Sequence, residues 1–279
     1  MEINRLREVQ LQQLKIMDSI HSLCEENRLT YYIIGGTALG AVRHGGFIPW
    51  DFDIDIAMPR KDYDRFVDEV SGALPTQFSC HSWKNEENYY PPHALVTLNG
   101  SGLTQKNDYL NPKLKRYGIF VDIFPLDQSP DEEELRKDQA RDLRRLSRMK
   151  TRKFAISYKE NSQVKLLAKK ALSLCYALIS VKKINEKQEV CMKRYAALPE
   201  TKNWCSMASH YSYAKQCMPK EIYGTPQLIP FEERHYYAPE QLDEYLKRIF
   251  GDYMKLPSPE KQKEQRDYFI NASWSEEEN

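Results

Sequence analysis

The sequence predicts an α/β protein of the mixed α+β kind, with a mixed sheet in its first half and a mostly helical subdomain after it. Within the first 130 residues, β-branched and aromatic runs alternate with amphipathic helical patterns. From residue 131 onward the pattern is helical and strongly basic, and aromatic residues and prolines return near residue 200. We therefore divide the chain into a core at 1–130, a basic helical subdomain at 131–200 and a C-terminal segment at 201–279. That last segment is expected to pack on the core and to complete its substrate pocket.

The composition is that of a protein with a packed interior and no strong overall charge. Its 279 residues are 41% hydrophobic, and 41 Lys and Arg residues balance 40 Asp and Glu residues, for a net charge of +1. A chain this close to neutral has no global field that attracts nucleic acid, so we expect no nucleic-acid partner. The N-terminal stretch has scattered charges and no apolar run of the signal-peptide kind, which predicts a cytoplasmic location.

The cysteines predict reduced thiols rather than a disulfide framework. Six of them are spread along the chain without a C-x-x-C pair, which is typical of buried free thiols. The alternative is a metal held by Cys191, Cys205, His210 and Cys217, whose spacing is irregular for such a site.

The N-terminal elements alternate between helix and strand. Apolar residues at helical spacing predict an amphipathic helix over 3–24, and the run LTYYII predicts a buried strand that ends at Gly35 and Gly36. Thr37 is placed to cap a short helix, TALGAVRHG. A second strand is predicted by the alternation in WDFDIDIAM, and Pro59 begins a helix through DYDRFVDEV.

The elements continue toward the C-terminus. Two further strands are predicted by the runs HALVTL and GIFVDIFPL. Ser129 and Glu132 form a capping-box pattern around Pro130, so a long helix is expected to begin there. One more helix is predicted from Pro239 to Met254.

Three aspartates alternate along the second predicted strand. Successive side chains of a strand point to opposite faces, so Asp51, Asp53 and Asp55 share one face while the apolar residues between them pack inward. Such carboxylates repel one another unless a cation neutralises them, and hard oxygen ligands suit Mg²⁺ or Mn²⁺. The alternative interpretation is a solvated strand face.

Two other features favour the metal. The turn at Gly35, Gly36 and Thr37 leaves backbone N–H groups open at a helix N-terminus, where a phosphate is favoured, although a Gly-Gly pair is also common in plain turns. Asp122 lies inside the apolar strand IFVDIF, where a charge needs a partner and a metal would supply it. A hydrogen-bonded carboxylate at a strand end is the alternative for Asp122.

Together these features resemble the nucleotidyltransferase superfamily, whose pattern is a Gly-Gly or Gly-Ser turn, a D-x-D strand and a third acid on a later strand. A closer resemblance, to the LicD family, is carried by IIGGTALGAVRHGGFIPWDFDIDIAMPRKDYDRF within residues 31–66. It extends to FVDIFPLD at 120–127 and to PFEERHYYAPEQLDEYLKRIFGDYMKLPSPEK at 230–261, whereas residues 131–229 carry little of it. The resemblance implies a nucleotidyltransferase-fold core. It also implies transfer of phosphocholine or a related alcohol phosphate from a CDP-linked donor to a glycan hydroxyl, with release of CMP.

The sequence departs from the family in two places. The family usually reads W-D-D-D-I-D, and this chain has Phe52 at the second acidic position. Alternation turns that position away from the aspartate face, so we expect the metal site to be intact and the ring to add packing. A histidine that often follows the lysine-rich C-terminal stretch is absent from EKQKEQRDY, and its role is not carried over.

The resemblance implies roles for the acids. Asp53, Asp55 and Asp122 would hold one or two Mg²⁺ or Mn²⁺ ions, and the catalytic set would be these three with Asp51. Asp51 would either support the metal or accept the proton of the acceptor hydroxyl.

It also implies a site for the phosphates of the donor. Gly35, Gly36 and Thr37 would hold phosphate oxygens, and Arg43 and His44, from the short helix that follows, would add charge-assisted contacts. Plain solvent exposure is the alternative for Arg43 and His44.

Two rival functions use the same features. A true nucleotidyltransferase would attack the α-phosphorus of a nucleoside triphosphate and release pyrophosphate. A non-catalytic scaffold of the same fold would be expected to lose the metal-binding acids, and all three are present here.

A phosphocholine substrate would need aromatic faces around its quaternary ammonium group. Several of the 18 tyrosines are close in sequence, with core packing as the alternative: Tyr211, Tyr213, Tyr223, Tyr236 and Tyr237.

The basic subdomain predicts contact with an anionic membrane, since acceptors in the resembling family are usually glycans on a lipid carrier at the inner membrane face. The uncharged run at 171–181 has 11 residues, whereas a membrane-spanning helix needs about 20. Basic residues throughout 141–183 would attract anionic headgroups and favour a peripheral contact. A buried helix is the alternative.

Overall fold

The computed structural model describes residues 2–106, 115–154, 167–168, 171, 176, 178–198 and 201–274. Its helices are α1 (Glu2–Asn27), α2 (Gly35–His44), α3 (Arg60–Arg65), α4 (Glu133–Lys153), α5 (Val181–Met192), α6 (Tyr213–Gln216), α7 (Lys220–Tyr223), α8 (Leu242–Phe250) and α9 (Pro259–Arg266). Its strands are β1 (Tyr32–Ile33), β2 (Asp55–Pro59), β3 (Phe78–His81), β4 (Ala94–Leu98), β5 (Gly102–Gln105), β6 (Phe120–Ser129), β7 (Asn203–Cys205), β8 (Cys217–Pro219), β9 (Gln227–Phe231), β10 (Arg234–Ala238) and β11 (Phe269–Ser273). After α3 the chain continues as a π-turn over Phe66–Val70 and a 3₁₀ turn over Ser71–Ala73.

A mixed sheet forms the centre of the fold. Its main path runs β1, β2, β6, β4 and β3, and β7 and β8 extend it from the far end of β6. Strands β2 and β6 are parallel, and the other neighbours in the sheet are antiparallel. In the parallel pair, Asp55 is in register with Asp122. The predicted α/β class with a mixed sheet is therefore confirmed.

Helix α1 is the amphipathic helix that the sequence predicts. It packs against β4, β6 and β11, and most of its apolar residues from Leu6 to Cys24 are buried in the core, whereas Leu11 is exposed. Burying each large apolar side chain stabilises the fold by about 1.5–3 kcal/mol. Two buried glutamines of α1 hold the acidic segment by its backbone: Gln10 Nε2 donates to the carbonyl of Asp51 at 2.7 Å, and Gln13 Nε2 donates to that of Phe52 at 2.5 Å.

The predicted alternation of aspartates and buried apolar residues is confirmed, although β2 itself begins only at Asp55. Phe52, Ile54 and Ile56 are buried in the core, with 8%, 0% and 0% of their surfaces exposed. The ring of Phe52 stacks on Tyr268, with ring centroids 6.1 Å apart. Position 52 therefore belongs to the core, as the departure from the family motif predicts.

Two predicted helix caps are wrong. Thr37 lies inside α2, and its Oγ1 accepts a hydrogen bond from the backbone N–H of Asp55 at 2.8 Å. Ser129 is buried at the end of β6, because that strand continues far enough to pair with β7, and α4 begins later, at Glu133. In both cases a contact distant in sequence replaces the local one.

The C-terminal segment packs on the core. The predicted helix Pro239–Met254 is present but shorter, as α8, and its Tyr245 is fully buried. The hydroxyl of Tyr245 accepts a hydrogen bond from the N–H of Gly35 at 3.0 Å, so α8 supports the start of α2. The domain boundaries at 130 and 200 stay predictions.

The basic subdomain is described in part. Helices α4 and α5 pack together, and Gln139 Nε2 donates to the carbonyl of Cys191 at 2.7 Å. Most of the apolar run at 171–181 lies outside the described residues, so the predicted membrane contact of 141–183 stays a prediction. Across the part of the chain that is described, no helix has both the length and the apolar character needed to cross a membrane.

Candidate active site

The parallel strands β2 and β6 bring three carboxylates together. Asp53, Asp55 and Asp122 each offer a ligand oxygen, and these oxygens lie within 4.8 Å of one another. Asp55 and Asp122 are direct neighbours across the two strands. The hydroxyl of Thr37 holds the backbone of Asp55 by accepting a hydrogen bond from its N–H. Residues almost seventy positions apart thus meet because a parallel pair aligns them.

Burial and mutual repulsion make this cluster unfavourable for negative charge. Burial is the largest cause that raises the pKa of Asp53 well above its usual value, and the charges of the other three acids add to it. The pKa of Asp55 is raised well above its usual value by burial and then by Asp122 and Asp51. A bound cation would remove the repulsion.

Asp51 lies beside this cluster but does not line the cavity above it. Burial raises the pKa of Asp51, and a hydrogen bond with the Asp53 carboxyl opposes that shift. Its Oδ1 accepts from the N–H of Phe52 at 3.2 Å. In this position Asp51 is better placed to hold Asp53 than to contact a substrate hydroxyl.

A cavity of about 380 Å³ opens above the three carboxylates; we call it the acidic cavity. The core contributes one wall, and α4, α5 and the segment 207–216 contribute the other. Besides the acids, its lining includes Ile34, Gly35, Tyr90, Pro92, His93, Phe124, Leu143, Ser147, Lys150, Gln188, Met192, Met207, Ala208, Ser209, His210, Tyr211 and Gln216.

His93 is a cavity residue that the sequence analysis missed. Its Nε2 is 2.7 Å from Asp122 Oδ1, and its ring packs on Phe124 with centroids 4.2 Å apart. Its Nδ1 is buried without a hydrogen-bond partner among the described residues. In the sequence, the one feature that could have indicated this role is the position of His93 immediately before β4, since β4 is the antiparallel neighbour of β6.

Two basic residues of the cavity, Lys150 and His210, were not predicted as residues of this site. Lys150 appeared in the sequence only as part of a basic surface, but it is 3% exposed, and burial lowers its pKa to about 7. Its Nζ donates to the carbonyl of Tyr90 at 2.8 Å. His210 packs its ring on Tyr211 at 4.1 Å, and desolvation lowers its pKa, an effect that the charge of Asp122 opposes. His210 is therefore neutral at physiological pH.

The glycine turn lies against the acids. A Cβ on Gly35 would be 2.9 Å from Asp55 Oδ2, and one on Gly36 would be 2.8 Å from Asp51 Oδ2. Gly35 also has a φ of +55°, which disfavours any other residue. Of the turn residues predicted to hold phosphate, Gly35 lines the acidic cavity, whereas Gly36 and Thr37 do not.

The structure does not bring Arg43 and His44 to the acidic cavity. Arg43 Nη1 donates to the carbonyl of Tyr253 at 3.0 Å, and the ring of His44 packs against Trp50 at 5.8 Å. Arg43 is thus held by the C-terminal segment and His44 by the loop that precedes the aspartates.

Two further groups that the sequence raised as alternatives do not assemble. Among the described residues, the cysteines and His210 form no metal-binding group; Cys191 contacts the carbonyl of Gln139, while Cys205 and Cys217 face each other across β7 and β8. The clustered tyrosines are mostly structural, with Tyr223 and Tyr236 buried in the core. Of the five named tyrosines, the acidic cavity is lined by one, Tyr211.

The fold and the site define the class to which this protein belongs. A mixed sheet whose parallel pair presents three carboxylates beside a Gly-Gly helix start has the nucleotidyltransferase pattern. In agreement, residues 28–145 match a family model described as "LicD/FKTN/FKRP, nucleotidyltransferase domain". The "Lipopolysaccharide cholinephosphotransferase LicD" of Haemophilus influenzae is 31% identical over 264 residues, which cover 92% of this chain and 94% of that protein. The chain therefore belongs to the LicD family, and it is an enzyme of the LicD phosphotransferase type.

Two other proteins are similar to shorter parts of the chain. The human "Ribitol 5-phosphate transferase FKRP" is 50% identical over 32 residues, which are 12% of this chain and 6% of that protein. An uncharacterized protein of Rickettsia typhi is 44% identical over 52 residues, or 19% of this chain and 17% of that protein. The relation to fukutin-type proteins that the sequence resemblance implies is confirmed.

Proposed function

We propose that this enzyme transfers phosphocholine, or a related alcohol phosphate, from a CDP-linked donor to a glycan hydroxyl and releases CMP. The observation that carries the proposal is the cluster of Asp53, Asp55 and Asp122 at the base of a cavity of suitable size. Similarity over almost the whole chain to a lipopolysaccharide cholinephosphotransferase supports the substrate class. The acceptor we propose is accordingly a cell-surface glycan, with a lipid-linked form as the natural candidate.

The same three acids would hold Mg²⁺ or Mn²⁺. Their fit to such an ion is chemical, because the three acids offer hard carboxylate oxygens at close range. Burial and then the charges of neighbouring acids raise the pKa values of Asp53 and Asp55, and a cation would offset both effects. When bound, a divalent ion neutralises the charge of the transferring phosphoryl group.

The chain's own residues supply positioning and proton transfer. In the proposed step the acceptor hydroxyl oxygen forms a bond to the donor phosphorus, the bond from phosphorus to the CMP oxygen breaks, and the hydroxyl proton moves to an imidazole nitrogen of His210. His210 suits this role because it lines the cavity and is neutral. His93 holds Asp122 in place through its 2.7 Å contact. The buried Lys150 offers a hydrogen-bond donor to a phosphate oxygen.

The proposal is tested by incubating the protein and Mg²⁺ with CDP-choline, CDP-ethanolamine, CDP-glycerol and CDP-ribitol and measuring CMP. CTP and ATP form a second arm, in which pyrophosphate is measured. Release of CMP from one CDP-alcohol, dependent on Mg²⁺ and lost in Asp53→Ala, is the expected result. Release of pyrophosphate from a triphosphate without CMP from any CDP-alcohol would instead establish a true nucleotidyltransferase.

A further inference from the structure

A second and larger cavity adjoins the acidic cavity. Its volume is about 790 Å³, and it is lined by α4 on one side and by the segment 203–219 on the other. The two cavities share six lining residues, namely Leu143, Ser147, Met207, Ser209, His210 and Tyr211. The second cavity is therefore a direct neighbour of the cavity that the carboxylates line.

Three arginines line this second cavity without a carboxylate partner. The guanidinium of Arg136 donates to the backbone carbonyls of Pro130 and Asp131, at 3.0 and 2.8 Å. Arg144 and Arg248 likewise donate to backbone carbonyls, at 3.2 and 3.0 Å. Within the described ranges none of the three forms an ion pair. Backbone contacts hold these side chains, and no carboxylate of the described residues pairs with them at close range, although the charge of Arg136 is felt by Glu133. We call this site the basic cavity.

The other ionisable groups of the basic cavity leave its net charge positive. Glu133 and Lys137 both line it, and their side chains pair at 3.0 Å. Cys217 also lines the cavity, and a hydrogen bond with Cys205, together with the charges of Arg136 and Arg248, lowers the pKa of its thiol to about 6. Its thiolate offsets one of the three arginine charges, and the net excess is still positive. A concave surface with such an excess attracts anions and concentrates them.

A buried hydroxyl adds an independent indication of a ligand. Ser206 lines the basic cavity and is 1% exposed, and its Oγ has no hydrogen-bond partner among the described residues. Buried polar atoms are rarely left unpaired, so the hydroxyl is suited to donate to a ligand oxygen. Several guanidinium groups and a hydroxyl that face one space match the oxygens of a phosphate group.

The position of the basic cavity indicates which of the two substrates carries the phosphate group that binds there. The donor's reacting phosphates must lie against the carboxylates and their cation, inside the acidic cavity. The basic cavity adjoins that space at His210 and Tyr211, and the three carboxylates do not line it, so the basic cavity is open to the second substrate. We propose that the basic cavity binds a phosphate group carried by the acceptor glycan, near the hydroxyl that attacks. This inference rests on the proposed function.

Binding can be measured without turnover in metal-free protein, where the carboxylate cluster repels anions. The probes are inorganic phosphate and glucose 6-phosphate for a phosphate-bearing sugar, and CMP for the donor, each titrated by calorimetry. The test variant combines Arg144→Gln with Arg248→Gln. The control variant combines Arg145→Gln with Arg148→Gln, which are exposed on the same helix α4 and do not line the cavity.

We expect wild type and control to bind phosphate and glucose 6-phosphate, and the test variant to lose about tenfold or more in affinity, because each arginine contributes a charge-assisted hydrogen bond. A second variant, with Arg144→Lys and Arg248→Lys, keeps the charge and should recover part of the affinity, which separates binding from a folding defect. Absence of CMP release from any CDP-alcohol would reject the proposed function but leave this binding result unchanged.

Three results would overturn the proposal. Unchanged phosphate affinity in the test variant would show that the arginines do not form an anion site. A parallel loss of CMP affinity would assign the basic cavity to the donor nucleotide. The third result concerns co-sedimentation with phosphatidylglycerol vesicles. If the test and control variants both lose it to the same extent, and neither changes its affinity for glucose 6-phosphate, the arginines belong to a membrane-binding surface.

Discussion

At the scale of single residues, the acids of the site are held at close range by the backbone. Glycines at positions 35 and 36 leave room for the carboxylates of Asp55 and Asp51, and Thr37 anchors Asp55. In the metal-free protein, the ionised form of these carboxylates is therefore disfavoured, and holding them ionised costs stability.

Asp55→Asn is expected to abolish transfer and weaken Mg²⁺ binding while raising the melting temperature of the metal-free protein. The amide keeps the shape but removes a charge from a repulsive cluster. Calorimetry in the presence of a chelator, with a Mg²⁺ titration and a CMP assay, measures all three effects. Asp68→Asn, an exposed acid outside the cavity, is the control. Turnover within about tenfold of wild type would refute the assignment.

His210→Gln is expected to lower kcat by about 10²–10⁴-fold without a change in Mg²⁺ affinity, as for loss of a general base. Because the neutral imidazole is the active form and its pKa is lowered, wild-type activity should fall only as pH drops below the ordinary histidine range. The variant should lack this acid limb. His44→Gln, outside the cavity, serves as the control. If His210→Gln has the same pH profile of activity as wild type, His210 is not the general base, and Asp51 becomes the candidate.

Lys150→Met is expected to stabilise the protein most at low pH. Burial lowers the folded-state pKa of Lys150 from 10.5 to about 7, so the unfolded chain binds the extra proton more tightly. The penalty is complete below about pH 7 and shrinks as pH rises toward 10.5. Urea unfolding across this range measures the difference from wild type. A stability difference that does not vary with pH would mean that Lys150 is not desolvated.

At the scale of elements, strands and helices that carry a strong periodic pattern are predicted well. Helix α1 and strand β6 lie where their patterns place them. The segment between β7 and α7 is different, because its elements have three or four residues each, too few for a period to be visible. That segment supplies Met207, His210 and Tyr211 to the cavity.

Phe52→Asp, which restores the family residue, is expected to destabilise the protein by about 2 kcal/mol or more without a gain in rate. The ring is buried against Tyr268, and a carboxylate there would have no partner. Phe52→Leu, which keeps the apolar volume, should cost less than about 1.5 kcal/mol. Chemical unfolding compares the two variants. A faster and equally stable Phe52→Asp would place position 52 in the site.

At the scale of the whole molecule, the acidic cluster couples folding to pH and to divalent cations. The raised pKa values of Asp53 and Asp55 mean that the folded state binds protons more tightly than the unfolded chain. Their contribution to stability is therefore complete at low pH and is lost as pH rises through the raised values. A bound cation substitutes for the lost protons.

Mg²⁺ is accordingly expected to raise the melting temperature more at about pH 8 than at about pH 5. Thermal scans with MgCl₂, against NaCl of equal ionic strength, isolate the specific effect. Asp122→Asn should reduce the Mg²⁺-dependent increase, since that aspartate supplies the ligand on β6. An increase of equal size at both pH values would show that the ion binds elsewhere.

By itself, the sequence determined the α/β class and which aspartates of the second strand share a face, because alternation along a strand is a local property. It also named Asp122 as a third acid, but the parallel pairing of β2 with β6 brings that residue to Asp53 and Asp55. It also predicted the family, through a motif confined to residues 31–66 and two shorter segments. The tertiary structure decided what surrounds the acids. His93, Lys150 and His210 reach the cavity through strand pairing and helix packing between distant segments, and no local period encodes such contacts. For the same reason Arg43 and His44, near the acids in sequence, point elsewhere in the fold.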